Sequence, residues 1–165
     1  MLRGDASAFE VLYQRHRDWV VRLAQRFCRH EADALDVTQE AFCHLASRPP
    51  SFRLTGKLTT YLYPVVKHFA LAAVAKRGRN TATPVDMDAF AARPAEFRSD
   101  DLQIAVNRLP EAQREVLLMR FVDDLSLAEI AEALSIPLGT VKSRLHHAIQ
   151  TLRDDPATKN YFLDD

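Results

Sequence analysis

Apolar residues recur at intervals of three and four along most of this chain. In residues 7–28 they are Phe9, Leu12, Tyr13, Trp19, Val20, Leu23 and Phe27, and in residues 36–47 they are Val37, Ala41, Phe42 and Leu45. Because an α-helix turns once in about 3.6 residues, this spacing predicts two helices, each with one buried face. The run Arg48-Pro-Pro-Ser51 ends the second helix, since proline lacks an N–H and the residue before it avoids helical angles. A third helix is predicted at residues 58–76, with Pro64 near its start or at a kink.

Helical spacing stops in the middle of the chain and then resumes. Residues 78–98 read GRNTATPVDMDAFAARPAEFR, which has two prolines and no sustained period, and this composition predicts a linker. Further helices are predicted at residues 100–108 and 110–122, and another begins at Ser126, where Glu129 completes a capping box. The expected fold class is therefore all-α, with two small helical domains joined by a flexible linker.

The stretch LSLAEIAEALSIPLGTVKSRLHHAI, residues 125–149, contains a short capped helix, a break and a second helix. Leu127, Ile130, Ala131 and Leu134 mark the inner face of the first helix, residues 135–139 are the predicted break, and Val141, Leu145, Ala148 and Leu152 pack the second helix back. This packing leaves Lys142, Ser143, Arg144, His146, His147 and Gln150 on the outer face or its flanks. The layout is that of a helix-turn-helix, whose second helix can enter a DNA major groove while amides near Thr140 meet a phosphate. A generic helical hairpin is the alternative.

Charge is balanced over the whole chain and sorted along it. Among the 165 residues, 22 Lys and Arg offset 22 Asp and Glu, so any attraction to nucleic acid must be local. Residues 53–79 and 137–153 contain bases and no acid. Glu31, Asp33, Asp36 and Glu40 crowd the predicted second helix, where Asp36, Gln39, Glu40 and Cys43 share one polar stripe.

Composition argues against several other classes of protein. Two cysteines, Cys28 and Cys43, make no disulfide framework, and without a signal peptide or a long apolar run the expected location is the cytoplasm, with no membrane partner. Cys28, His30, Cys43 and His44 do not follow the usual ligand spacings of zinc sites, so no metal is expected. The chain has four glycines and neither a phosphate-cradling loop nor paired catalytic carboxylates, so we expect no catalytic residues and no cofactor.

Several longer motifs resemble those of a known family. LPEAQREVLLMRFVDDLSLAEIAEALSIPLGTVKSRLHHAIQTLRD closely resembles region 4 of the bacterial extracytoplasmic-function sigma factors, which belong to the sigma-70 family. GDASAFEVLYQRHRDWVVRLAQRF, ALDVTQEAFCHLA and YLYPVVKHFALAAVAKRGR resemble consecutive parts of their region 2. The resemblance implies region 2 at residues 1–79, a linker at 80–98, region 4 at 99–156 and a tail at 157–165. It also implies an alternative sigma factor that binds core RNA polymerase and directs promoter-specific initiation, without being an enzyme.

The resemblance also implies which residues bind each partner. Asp36, Gln39 and Glu40 match positions that dock on the clamp helices of the largest polymerase subunit, and region 4 is expected on the flap of the second subunit. Positions matching those that capture the melted non-template strand of the minus-ten element are Phe52, Arg53, Lys57, Tyr61, Lys67, His68, Lys76 and Arg77. Positions matching minus-thirty-five contacts are Thr140, Lys142, Ser143, Arg144, His146 and His147. An anti-sigma factor is a further implied partner.

The chain departs from the family pattern at several of these positions. Many relatives carry Trp, Arg, Asn and Asp where this chain has Tyr61, Pro64, His68 and Ala72, and His147 replaces a frequent Arg. A different base preference is therefore expected. An autonomous helix-turn-helix regulator and a pure interaction module remain alternatives, although an autonomous regulator has no need for the acidic stripe of the second helix together with a separate basic helix.

Overall fold

Three helices form the first of two compact units in the protein. The structure is a computed structural model that describes residues 6–49, 51–80 and 100–159. The first unit contains α1 (Ala6–Phe27), α2 (Glu31–Ala46) and α3 (Leu58–Asn80), and each helix packs on the other two. The core consists of buried side chains from all three helices: Val20, Leu23, Ala24, Ala34, Val37, Ala41, Phe42, Leu45, Leu62, Tyr63, Val66 and Ala70. This agrees with the face predicted for α2, whereas in α1 only Val20 and Leu23 of the predicted face are fully buried. The other members of that face are half-buried: Phe9, Leu12, Tyr13, Trp19 and Phe27.

The helices of the first unit extend further than predicted. The helix α2 begins at Glu31 instead of Asp36, with Glu31 and Asp33 in its first turn, where carboxylates are stabilised by the positive end of the helix dipole. The third helix, α3, also continues beyond its predicted end at Lys76, as far as Asn80. Pro64 is the seventh residue of α3, and the helix continues through it although Pro64 has no N–H to donate to the Thr60 carbonyl; its ring is exposed.

Four helices form the second unit. They are α4 (Asp100–Arg108), α5 (Glu111–Phe121), α6 (Leu127–Leu134) and α7 (Leu138–Asp154), and α5, α6 and α7 pack on one another. Val116, Met119, Ile130, Val141 and Ala148 are fully buried at their centre. The all-α fold class is confirmed over the described residues; the predicted linker lies outside them, apart from its first residues 78–80, which belong to α3.

The turn between α6 and α7 is shorter than predicted. Ser135 caps α6 in the left-handed conformation, with φ of 54°, and the Ile136 amide donates to the Ala131 carbonyl at 3.0 Å. The helix α7 then begins at Leu138, so Leu138 and Gly139 belong to the helix and not to the break. Pro137 explains this early start of α7. It occupies the N-cap, where an N–H would have no partner within the helix, and proline has no N–H. Ala133 is buried, whereas Ala131, which was predicted on the inner face, is half-buried.

The first residues of the C-terminal tail are packed against the second unit. Thr158 is completely buried, and its hydroxyl donates to the Leu152 carbonyl at the end of α7. The Ala157 amide donates to the Asp155 carboxylate at 2.9 Å. The predicted tail at 157–165 therefore begins as part of the folded unit; residues 160–165 lie outside the described part of the chain.

The capping box of α6 is confirmed and leads to a stability prediction. The Ser126 amide donates to Glu129 Oε2 at 2.7 Å, and the Glu129 amide donates to Ser126 Oγ at 3.3 Å. Ser126→Ala is expected to lower the free energy of unfolding by about 1 kcal/mol, because it leaves an amide at the helix start without its acceptor. Ser126→Thr keeps the hydroxyl and is the control. Thermal melts that show no difference between the two variants would contradict this role.

Candidate nucleic-acid interface

One exposed polar stripe runs along α2, as the sequence predicts. Asp36, Gln39, Glu40 and Cys43 are exposed, whereas Val37, Thr38, Ala41, Phe42 and Leu45 on the other side are buried. The alternation follows from the helical period, since residues three and four apart lie on the same face. We call Asp36, Gln39 and Glu40 the acidic stripe. Its side chains can meet a partner without disturbing the core.

A groove of about 540 Å³ lies between α2 and α3. Its lining from α2 is Asp33, Asp36, Val37 and Glu40, and its lining from α3 is Phe69, Ala72, Ala73, Lys76 and Arg77. Arg77 Nη2 lies 2.7 Å from Asp33 Oδ1, which ties the end of α3 to the start of α2. Lys76 and Arg77, both predicted to bind minus-ten DNA, therefore lie beside the acidic stripe.

The two cysteines have different surroundings. Burial, together with the nearby Asp33 charge, raises the pKa of the Cys28 thiol to about 11, although Arg77 acts in the opposite direction. Cys28 is therefore a neutral thiol at physiological pH. Cys43 is exposed on α2.

An aromatic and cationic cluster lies where α2 ends and α3 begins. The ring centroids of Phe52 and Tyr61 are 5.2 Å apart. The guanidinium carbon of Arg48 lies 5.5 Å from each centroid, and Arg48 also bonds Tyr61 and His44. We call Arg48, His44, Phe52 and Tyr61 the Arg48 cluster. The structure thus brings together two predicted minus-ten residues, Phe52 and Tyr61, with two residues that were not predicted to bind DNA, Arg48 and His44.

No local pattern identifies Arg48 or His44 as part of this site. Arg48 reaches Tyr61 across 13 residues of sequence, and apolar periodicity carries no information about such a polar contact. The adjacent Pro49 and the aromatic residues on both sides of the loop were the available signals.

The other predicted minus-ten residues divide between two sides of α3. At about 100° per residue, Tyr61, His68 and Lys76 fall within roughly 80° of one another, whereas Lys67 and Arg77 lie about 120° or more from Tyr61. Lys67 Nζ lies 5.9 Å from the centroid of Phe27 in α1, a cation–π distance.

His68 and the loop residues are open to solvent. His68 is exposed, and its ring centroid lies 5.7 Å from that of Phe69. Arg53 and Lys57 are exposed in the loop before α3. A face with aromatic rings and nearby cations is the arrangement on which an unstacked base and its phosphates can bind.

The outer face of α7 carries the predicted minus-thirty-five residues. Lys142, Ser143, His146 and His147 are exposed and Arg144 is half-buried, opposite the buried Val141, Ala148 and Leu152. From Leu138 to Arg153 this helix has no acidic residue. It therefore presents hydrogen-bonding and cationic groups without a carboxylate that would repel phosphate.

The start of α7 is sterically open. The Thr140 amide already donates to the Pro137 carbonyl at 2.9 Å, so the amides ahead of it, of Leu138 and Gly139, are the ones that face outward from the first turn. A Cβ placed on Gly139 would meet no atom within 4 Å. A phosphate can approach this end of the helix closely.

Two family models match this chain, one in each of its two units. The family model described as Sigma-70 region 2 matches residues 12–80, and Sigma-70, region 4 matches residues 99–152. The ECF RNA polymerase sigma factor SigW of Bacillus subtilis (strain 168) is 28% identical over 92% of this chain and 90% of its own length. The ECF RNA polymerase sigma-E factor of Escherichia coli (strain K12) is 31% identical over 91% of this chain and 87% of its own.

A solved structure shows the same fold. The sigma factor RpoE in complex with the anti-sigma factor NepR from Bartonella quintana aligns with a TM-score of 0.66 at 19% identity, over 90% of this chain and 96% of that one. In the described residues, no helix is long and apolar enough to cross a membrane.

Two region models in the expected order and a relative above 30% identity over most of both chains establish the family. The chain belongs to the extracytoplasmic-function sigma factors of the sigma-70 family, and it is an alternative sigma factor that directs transcription initiation and not an enzyme.

Proposed function

We propose that this sigma factor binds core RNA polymerase through the acidic stripe of α2 and reads promoters at two places. The Arg48 cluster and the exposed face of α3 capture the melted non-template strand of the minus-ten element. The outer face of α7 reads the minus-thirty-five element in duplex form. The observation that carries the proposal is the placement, within one three-helix unit, of an exposed acidic stripe and a separate aromatic and cationic face.

The acidic stripe has the properties of a docking surface for a basic partner. Asp36, Gln39 and Glu40 are exposed, and their helix is anchored by the core on its opposite side. Fixed carboxylates steer a cationic partner and set its register. In this family the partner at the matching positions is the pair of clamp helices of the largest polymerase subunit. The second unit is expected on the flap of the second subunit.

The minus-ten surface suits a single strand better than a duplex. Phe52 and Tyr61 offer aromatic rings at half-buried positions, and Arg53 and Lys57 are exposed cations in the loop before α3. Lys76 is exposed further along α3, in the groove beside the acidic stripe. Stacking on aromatic rings is possible only for a base that has left the helix stack. Arg77 is directed toward α2 and the acidic groove by its pairing with Asp33.

The minus-thirty-five surface follows the usual geometry of a helix-turn-helix. Exposed Ser143, His146 and His147 can reach base edges, and Lys142 can neutralise a phosphate. The open first turn at Gly139 allows the DNA backbone to come close. The outer face carries hydrogen-bonding groups that could distinguish bases in the major groove.

Lys142→Ala is expected to weaken promoter binding by a similar factor on all sequences. The exposed ammonium acts as a point charge toward phosphate, so its loss should lower the slope of log affinity against log salt by about one. A base contact from Arg144 or Ser143 would instead cost about 1–3 kcal/mol at a single promoter position. Binding of holoenzyme to promoter DNA at several salt concentrations measures both effects. Lys159→Ala, another exposed lysine of the same unit, is the control, and an unchanged slope in Lys142→Ala would exclude the phosphate contact.

Transcription from a promoter library tests the proposal as a whole. Purified core polymerase is assayed with and without this chain, and enriched templates are expected to share one minus-thirty-five and one minus-ten sequence. The chain without polymerase is included, since tight binding of one operator by the isolated chain would favour an autonomous regulator. Templates that are not enriched above core polymerase would contradict the assignment.

A regulatory partner is part of the same proposal. The solved relative RpoE is held in complex with the anti-sigma factor NepR. We infer that an anti-sigma factor restrains this chain in the cytoplasm, where polymerase acts.

A further inference from the structure

We propose that Arg48 is a positioning residue for strand capture. Its guanidinium holds Phe52 and Tyr61 in a preformed arrangement that receives an unstacked base of the minus-ten strand. The inference rests on the proposed function, because it assumes that this face of the first unit captures the melted strand. It assigns a role to a residue that neither the motifs nor the family positions had indicated.

The guanidinium joins three segments of chain. Arg48 Nε donates to the Tyr61 hydroxyl at 2.6 Å, and Nη2 donates to His44 Nε2 at 2.8 Å. Arginine has no acceptor, so His44 Nε2 is the acceptor in this bond. The same guanidinium lies over the rings of Phe52 and Tyr61 at 5.5 Å. One side chain therefore connects the end of α2, the loop and the start of α3.

The loop side of this site needs such a connection. The Phe52 amide donates to the Pro49 carbonyl at 2.8 Å, which forms a turn, but Phe52 lies outside the helices and is only half-buried. If the Phe52 ring became ordered only when the base binds, the loss of side-chain entropy would offset part of the binding free energy. Contact with Arg48 and Tyr61 orders it beforehand.

The contacts extend along α3 toward His68. The ring centroid of His44 lies 5.8 Å from that of Phe69, which lies 5.7 Å from that of His68. His68 is on the same face of α3 as Tyr61. Arg48 thus supports one end of the strand-binding face directly and the other through two rings.

The inference is distinct from a direct phosphate contact. Arg53 is exposed in the loop, whereas Arg48 is half-buried and its Nε and one Nη are occupied by directed bonds. Lysine can replace the charge of arginine but not its planar, forked donors. Substitution by lysine therefore separates the two roles.

The experiment compares Arg48→Ala, Arg48→Lys and Tyr61→Phe in holoenzyme with core polymerase. Binding to a promoter with a pre-melted minus-ten element is measured over a range of salt, and 2-aminopurine in the non-template strand reports on stacking. Both Arg48 variants are expected to lose roughly tenfold in affinity, about the loss of one base stacking contact, with an unchanged salt slope and a relaxed preference among minus-ten bases. Tyr61→Phe removes the acceptor and keeps the ring, so its effect should not add to that of Arg48→Ala. Arg17→Ala, an exposed arginine of α1, is the matched control.

Three results would overturn the proposal. Arg48→Lys at parental affinity, with a salt slope lowered by about one in Arg48→Ala, would show a phosphate contact. Arg48 variants that bind like Arg17→Ala would show that the cluster does not matter for capture. Lower melting temperatures with equal losses on every template, and no change in base preference, would show a purely structural role.

Failure of the proposed function has a different signature. Tyr61→Ala in the same assay removes the ring itself. If it binds pre-melted promoter like the parent, the minus-ten assignment fails together with the positioning role. If Tyr61→Ala is defective and the Arg48 variants are not, only the role of Arg48 is rejected.

Discussion

The double charge reversal Asp36→Lys with Glu40→Lys is expected to abolish binding to core polymerase. Both carboxylates are exposed on one face of α2, so a partner that attracts them would meet two cations after the change. Like charges brought together across an interface cost several kcal/mol, which corresponds to a loss of roughly 100-fold or more. Co-purification with core polymerase and a direct binding titration measure the effect.

The control for this reversal has to carry the same charge change on the same unit. Glu10→Lys with Asp18→Lys meets this need, because both acids are exposed on α1. The reversal would also place two ammonium groups in the groove that is lined by Lys76 and Arg77. The neutral double variant Asp36→Asn with Glu40→Gln is therefore added, because it removes the attraction to the partner without introducing new repulsion. A double reversal that still co-purifies with polymerase would remove the acidic stripe from the interface.

Tyr61→Ala is expected to impair promoter opening on duplex and pre-melted templates alike. The ring packs against Phe52 at 5.2 Å and under the Arg48 guanidinium, so its loss removes one stacking surface and releases the other. Base stacking on an aromatic ring is worth about 1–3 kcal/mol, so affinity for the pre-melted promoter should fall roughly tenfold to a hundredfold. Permanganate reactivity of unpaired thymines and equilibrium binding of holoenzyme are the measurements.

Folding of the variant can be checked independently of the contact. Tyr61→Leu keeps much of the apolar side chain and lacks an aromatic face, so it should melt like the parent and share the defect. Val11→Ala removes an exposed apolar side chain from α1 and should behave as the parent does. A defect confined to duplex templates would assign Tyr61 to strand separation and not to holding the separated strand.

The acidic stripe and the strand-binding face of the first unit lie on neighbouring helices, α2 and α3. The Asp33 and Arg77 ion pair and the groove between α2 and α3 place acidic and basic side chains side by side. Their charges partly cancel at a distance, in keeping with a net charge of zero over the chain. Specific contacts, more than a long-range field, then decide how this unit binds DNA.

The sequence by itself determined the helices and their buried faces. Val37, Ala41, Phe42 and Leu45 were predicted inward from their spacing and are buried, because burial of apolar area follows the helical period directly. The Ser126 and Glu129 capping box was predictable for a similar reason, since all its atoms lie within one turn of chain. The family could be recognised because its motifs combine these local constraints in a fixed order.

Only the tertiary structure decided which polar side chains meet. Lys67 and Arg77 counted as equivalent cations in the sequence, yet one lies over Phe27 and the other pairs with Asp33. Nothing in the spacing of residues showed that Arg48 would join Phe52 and Tyr61. The partner that a long charged side chain contacts depends on the distances between packed helices, and those distances depend on the whole core. Apolar periodicity reports which face is buried; the position of a guanidinium on the remaining surface is settled only when the helices have packed.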